Sequence, residues 1–373
     1  MQSFIRKYIS LNEKRSFSVT HSFYRIIVST TLFLVSLQGF TQKEPKDSTK
    51  VKLGPLFKKE DMLELNLTTN FSSLMKDRKN AKQPYRWAKL EYNRKKKGEI
   101  ALNIRVKVRG NFRRSPSNCT FPPLLLNIPS KKDKNTIFER QNLLKLVTHC
   151  QNEEYIFQEY LVYKMYNLLT DDSFDARLAR VTYQDSAGKR ETETRFAFLL
   201  EDETFLAKRN KAKNMYRKQI PMYIIDSVSM ATVAVFEYMI GNSDWSVPYL
   251  HNIKLLDKTT YITAVPYDFD HSGIIEAKYA RPPQALNLYS VRERIYRGIT
   301  YSPAVYQQVF DNFRRVKPQI YALYENNPQL EKGYIKRTIN YLDEFYKTID
   351  NPKSIKEVFT VENGTKPTIK NGN

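Results

Sequence analysis

Between residues 60 and 150 apolar and polar positions alternate in short runs: "MLELNLTT" (62–69), "RWAKLEY" (86–92), "IALNIRVKVRG" (100–110), "FPPLLLNI" (121–128) and "NLLKLVTHC" (142–150). A period of two, broken by loops of Lys, Asn, Gly and Pro, predicts the strands of a small twisted sheet. The period lengthens at "NEEYIFQEYLVYKMYNLLT" (152–170), where apolar residues recur at three and four. This predicts a helix capped by Asn152, with acids in its first turn. "ARLARVTYQD" (176–185) and "TRFAFLLED" (194–202) flank the turn "SAGK" and read as a hairpin.

From residue 219 the pattern turns helical. "DSVSMATVAVFEYMIGN" (226–242) predicts a helix capped by Asp226 or Ser227 and ending at Gly241, apolar on most faces and therefore buried. The strands "HNIKLL" (251–256) and "YITAVPYDFD" (261–270) follow around "DKTT", and then helices over 301–324 and 329–348. The expected organisation is a leader at 1–41, a linker at 42–59, a β-rich part with one helix at 60–204, a helical part at 205–350 that opens on a basic linker, and a flexible tail at 351–373.

Composition sharpens this picture. With 373 residues, 41% of them hydrophobic and 13% aromatic, the chain can bury a substantial core, which excludes a disordered protein. Residues 1–41 hold five basic residues and one acid, and "IIVSTTLFLVSLQGF" runs without a charge, the layout of a secretory signal cleaved near Thr41–Gln42. An uncleaved anchor is the alternative, and no other segment suggests a membrane span. Export to the cell envelope, the periplasm or the medium makes a Cys119–Cys150 disulfide geometrically reasonable.

The net charge of +22 attracts polyanions, yet no nucleic-acid-binding motif accompanies it. The run "NRKKKG" (93–98) reads as a solvated loop face. Arg109, Arg113 and Arg114 differ because they surround Gly110 just after a strand, a setting in which guanidinium groups can contact phosphate.

Two stretches concentrate acids and amides: "GNSDWSVPYLHN" (241–252) and "PYDFDHSG" (266–273). An Asp in a loop after a buried helix, an Asn opening the next strand and an Asp closing its partner strand would converge at one end of a hairpin. Hard oxygen ligands and a carboxylate so gathered suit phosphoryl transfer with a divalent metal. The rival reading is a turn whose aspartates accept backbone hydrogen bonds. Glu201 and Asp202 read as a strand-end pair facing solvent, and Tyr267 and Phe269 as core.

Together "VRGNFRR", "EYLVYKMYNLLTDDSFDARL", "FAFLLED", "GNSDW…HN" and "PYDFDHSG" resemble the spore coat protein H (CotH) kinase-like family. The resemblance implies a two-lobed, protein-kinase-like α+β fold, with a mostly β amino-terminal lobe and a mostly α carboxyl-terminal lobe. It implies ATP and Mg2+ or Mn2+ as cofactors, with transfer of the γ-phosphate to serine hydroxyls of a protein. Asp244 would be the catalytic-loop carboxylate, with Asn252 and Asp268 as metal ligands and Asp270 as a possible second carboxylate ligand. Asp244 and Asn252 are eight apart, so the loop bulges or Asn242 takes the amide role. Lys145, paired with Glu159, would serve the nucleotide together with Arg109. The other function class is a catalytically silent module of that fold binding an anionic component of the envelope or a surface matrix.

Overall fold

The computed structural model describes residues 54–94, 98–129, 134–325 and 327–360, so the expected leader at 1–41 lies outside the described residues. The alternating runs form β1 (Leu63–Thr69), β2 (Arg86–Arg94), β3 (Gly98–Val108), β4 (Leu124–Asn127) and β5 (Leu143–Thr148), with a short helix α1 (Phe71–Lys76) after β1. Helix α2 (Glu154–Leu169) then leads to the hairpin of β6 (Ala176–Asp185) and β7 (Glu193–Leu200). The seven strands close into a barrel in the order β1-β2-β3-β4-β5-β7-β6. Its seam is the pairing of β1 with β6, parallel, from Leu63 opposite Ala179 to Thr69 opposite Asp185, while the other strand pairs are antiparallel.

Alternation decides which side chains fill the barrel. Leu65, Leu67, Leu90, Ile104, Val106, Leu126, Leu144, Val181 and Leu199 point inward and are buried. Their neighbours along each strand face outward, because successive residues of a strand point to opposite sides.

The rest of the chain builds a second apolar core outside the barrel. Helix α3 (Glu203–Arg209) and strand β8 (Lys213–Met215) precede α4 (Ser227–Ile240), and β9 (Ile253–Asp257) pairs with both β8 and β10 (Ile262–Pro266). Helices α5 (Pro303–Glu325), α6 (Lys332–Ile349) and α7 (Pro352–Phe359) complete it. Asp226 caps α4 by accepting a hydrogen bond from the Ser229 amide at 2.8 Å. Gly241 ends the helix at φ 65°, and a Cβ there would stand 2.1 Å from the Tyr341 hydroxyl. Only glycine fits that corner.

Several expectations are corrected. The amino-terminal strands do not form the open sheet of a separate kinase-like β lobe: the β1–β6 seam closes them, and the described residues fall in one compact unit. The two-lobed kinase fold is therefore not what the chain adopts. Helix α2, expected with the sheet, also packs on α5 and α4. The basic stretch read as a linker contains the end of α3 and β8. Residues 352–359, read as part of a flexible tail, form α7, because Val358 and Phe359 bury their side chains in the second core. No helix among the described residues is long and apolar enough to cross a membrane.

Cys119 and Cys150 are joined in a disulfide that fixes the loop after β3 to the connection between β5 and α2 across a sequence separation of 31. Closing a loop of that length restricts the unfolded chain, and its loss is expected to lower the unfolding free energy by about 3 to 4 kcal/mol. Urea titrations with and without reductant measure this, alongside non-reducing peptide mapping. Equal midpoints in the two titrations would show that the bond adds nothing.

Candidate functional site

The abrupt end of α4 sets the first half of the site. Beyond Gly241, the Asn242 amide bonds the Glu237 carbonyl and its side-chain oxygen accepts the Asp244 amide at 3.0 Å. Ser246 and His251 pair backbone to backbone, so the residues between them loop out. That bulge absorbs the eight-residue spacing. It brings Asn252 Nδ2 to 2.7 Å from the Asp244 carbonyl and 3.2 Å from its Oδ2, and His251 Nε2 to 2.8 Å from Oδ1. Asn252 sits at φ 54°, a left-handed conformation that Asn tolerates better than most residues. An open groove of about 350 Å³ lies beside Asp244, lined also by Trp245, Tyr249, His251 and Arg297.

The β9–β10 hairpin supplies the second half. The Tyr267 amide bonds the Asn252 carbonyl at 3.0 Å, which extends the ladder and sets Asp268 just past its end. Asp268 has φ 66°, and its amide donates to the Tyr163 hydroxyl of α2 at 2.9 Å. Its carboxylate has no hydrogen-bond donor or ion-pair partner among the described residues. A non-glycine residue held in the left-handed region costs of order 1 kcal/mol or more, and such strain concentrates at functional sites.

Lys145 of β5 faces this end of the hairpin from the outer wall of the barrel. Its ammonium lies 4.4 Å from the centre of the Tyr267 ring and 5.7 Å from that of Phe174. It has no carboxylate partner within salt-bridge distance among the described residues. Burial pulls its pKa down to about 7, helped by the positive charges of Arg109 and Lys254 and opposed by Asp268 and Glu203. Arg109 follows β3, half-buried, and its guanidinium likewise has no hydrogen-bond or ion-pair partner among the described residues. Lys254, on β9, is paired with Glu203 at 2.6 Å.

Glu159 does not pair with Lys145. It accepts from the buried Arg113 at 3.2 Å; the same guanidinium donates to the Thr148 carbonyl at 2.5 Å and lies 3.7 Å from Asp270 Oδ2. Asp270 also accepts from the Tyr279 hydroxyl at 3.1 Å. Burial raises the pKa of both carboxyls, and Arg113 opposes the rise. One guanidinium thus serves two desolvated carboxyls, and Arg113 is internal rather than available to phosphate. Its neighbour Arg114 donates to the Asn80 carbonyl at 3.1 Å.

The structure therefore gathers Asp244 with Asn252, places Asp268 beside Lys145 and Arg109, and sets Glu159 and Asp270 behind them around Arg113. Among the described residues no group of three or more His, Cys, Asp or Glu side chains is arranged to hold a metal ion. Glu201 does not face solvent. It is fully buried and bonds Arg209 through both oxygens, at 2.8 and 3.0 Å, while Asp202 caps α3. Phe269 is core as expected, whereas Tyr267 is half-buried under Lys145. Sequence reasoning missed His251 as a partner of Asp244, although it stands in the "HN" pair. It also missed Arg113 as the partner of Glu159, for which no local signal exists.

No protein-family model matches the chain, and no curated protein matches it. Among solved structures it is similar to "Crystal structure of A Helicobacter pylori proinflammatory kinase CtkA", at 14% identity, covering 65% of this chain and 92% of that one with a TM-score of 0.36. That is a loose likeness to a kinase.

Replacing Arg113 by Met is expected to destabilise the protein by about 3 to 5 kcal/mol at neutral pH, because the buried Glu159 carboxyl and the Thr148 carbonyl lose their donor and Asp270 loses its counter-charge. Urea unfolding of the variant checks this. A loss below about 1 kcal/mol would show that the cluster does not hold the structure together.

Proposed function

We propose that the chain is a nucleotide-dependent phosphotransferase that passes the γ-phosphate of ATP to a protein hydroxyl. The observation that carries this reading is the pair of basic side chains, Lys145 and Arg109, that have no salt bridge among the described residues, set beside a carboxylate, Asp268, that no donor among those residues satisfies. Half-buried charges without partners are costly, and a triphosphate with a divalent cation would answer all three. Asp268 and the side-chain oxygen of Asn252 would hold magnesium, since Asp270 is already engaged by Tyr279 and Arg113. When bound, the ion neutralises charge developing on the transferred group.

The remaining steps belong to this chain. Lys145 and Arg109 bind and orient the phosphates. Asp244, at the mouth of the groove, accepts the hydrogen of the acceptor hydroxyl and aims its oxygen. His251 and Asn252 keep the Asp244 carboxylate in place. An acceptor segment lying in the groove against Trp245 and Tyr249 would present its hydroxyl there.

Lys145 makes binding pH-dependent in a defined direction. Its pKa of about 7 in the free protein leaves it largely neutral near pH 8, and phosphate favours the ammonium. Binding at about pH 8 should therefore take up close to one proton, and affinity should fall as pH rises above about 7. Calorimetric titration with ATP and Mg2+ in buffers of different ionisation enthalpy reads the uptake, which Lys145→Met should remove. Heats independent of buffer would oppose the assignment of Lys145.

Asp268→Asn keeps a side chain suited to φ 66° while removing the charge, and is expected to abolish Mg2+-dependent binding with little change in melting temperature. Asp244→Asn should bind nucleotide and lose transfer of labelled phosphate to a serine-rich protein. A wild-type chain that neither binds ATP nor transfers phosphate with Mg2+ or Mn2+ would defeat the proposal.

A further inference from the structure

The outer wall of the barrel carries a second feature that leads into the site. Two cross-strand rows run side by side on it: Trp87, Arg105, Asn127 and Leu143 in one, and Lys107, Leu125 and Lys145 in the next. Along β3 the outward positions Arg105 and Lys107 continue to Arg109 past the strand end, where the Arg109 amide still bonds the Pro123 carbonyl. Neither row holds a carboxylate.

Among the described residues Arg105 donates only to the Asn127 side chain, and Lys107 has no carboxylate partner within salt-bridge distance. Both cations sit over the Tyr85 ring, at 5.2 and 4.7 Å. Trp87 is 72% exposed beside them. A ridge of uncompensated cations thus runs to Arg109 and Lys145.

We infer that this ridge, Tyr85, Trp87, Arg105 and Lys107 leading to Arg109 and Lys145, is a docking surface for an extended acidic segment of the protein that accepts phosphate, an inference that rests on the phosphotransferase reading. Charge complementarity selects an acidic partner. Outward residues of a strand repeat at roughly 7 Å, the same repeat as alternate residues of an extended peptide, so acids at every second position meet successive cations. Trp87 offers one flat apolar contact. Single-stranded nucleic acid fits less well, because stacking successive bases needs several open aromatic faces and the Tyr85 ring already carries two cations.

The test uses the full chain and a labelled peptide of alternating Glu and Ser, with oligothymidylate and phosphatidylserine vesicles as competing probes. Wild-type protein should bind the peptide in a salt-sensitive way, and Arg105→Glu with Lys107→Glu should weaken it about ten-fold at low salt. Mg-ATP binding, measured on the same samples, should be unchanged. Should the charge-reversed protein fail to fold, Arg105→Gln with Lys107→Gln should show the same direction of change. No peptide binding by the wild type, equal peptide affinity in the variants, or tighter binding of oligothymidylate or vesicles would overturn the inference. Loss of peptide affinity in a protein that does not bind Mg-ATP would keep the docking surface and remove the phosphotransferase reading.

Discussion

The buried guanidinium of Arg113 is the interaction on which the arrangement of the site depends. It reaches four separate parts of the chain at once: its own loop after β3, the Thr148 carbonyl ending β5, Glu159 on α2 and Asp270 after β10. A guanidinium taken out of water is costly unless it meets acceptors and opposite charge; Nη1 and Nη2 of Arg113 find them while Nε does not, and these contacts tie the four parts together. Glu159 is drawn inward from α2, and the same helix presents the Tyr163 hydroxyl to the Asp268 amide. The strained conformation of Asp268 is held from both sides, by Tyr163 before it and by the Asp270 cluster after it. An ion cluster of this kind contributes position more than stability.

The division of charge at the site follows. Carboxyls behind the wall share Arg113, and their raised pKa values reflect desolvation that one cation does not fully offset. In front of the wall, Lys145 and Arg109 have no such partner among the described residues. A buried cation shared by two carboxyls thus lies behind two basic side chains that have none, which links the packing of the barrel to the chemistry proposed for it.

How much of this could be read from the sequence depended on range. The α4 helix, with Asp226 before it and Gly241 after it, was legible because capping and the glycine corner are written in adjacent residues. The β9–β10 hairpin and the approach of Asn252 to Asp244 were legible for the same reason, as alternation and turn residues sit within one short stretch. The parallel β1–β6 seam was not, since pairing Leu63 with Ala179 depends on contacts far apart in the chain and leaves no local trace. Arg113 and Glu159 found each other across the same kind of distance. Glu201 misled because a charge at a strand end is ordinarily solvated. Here Arg209, the last residue of α3, reaches back to cover it.

The central claim is that the face of Lys145, Arg109 and Asp268 receives the phosphates of a nucleotide. An acyl-phosphate derivative of ATP, which transfers its acyl group to a lysine lying against the phosphates, tests this most directly when the labelled site is mapped by mass spectrometry. The account predicts acylation at Lys145, suppressed by excess ATP with Mg2+. Acylation confined to exposed lysines and indifferent to ATP would contradict it.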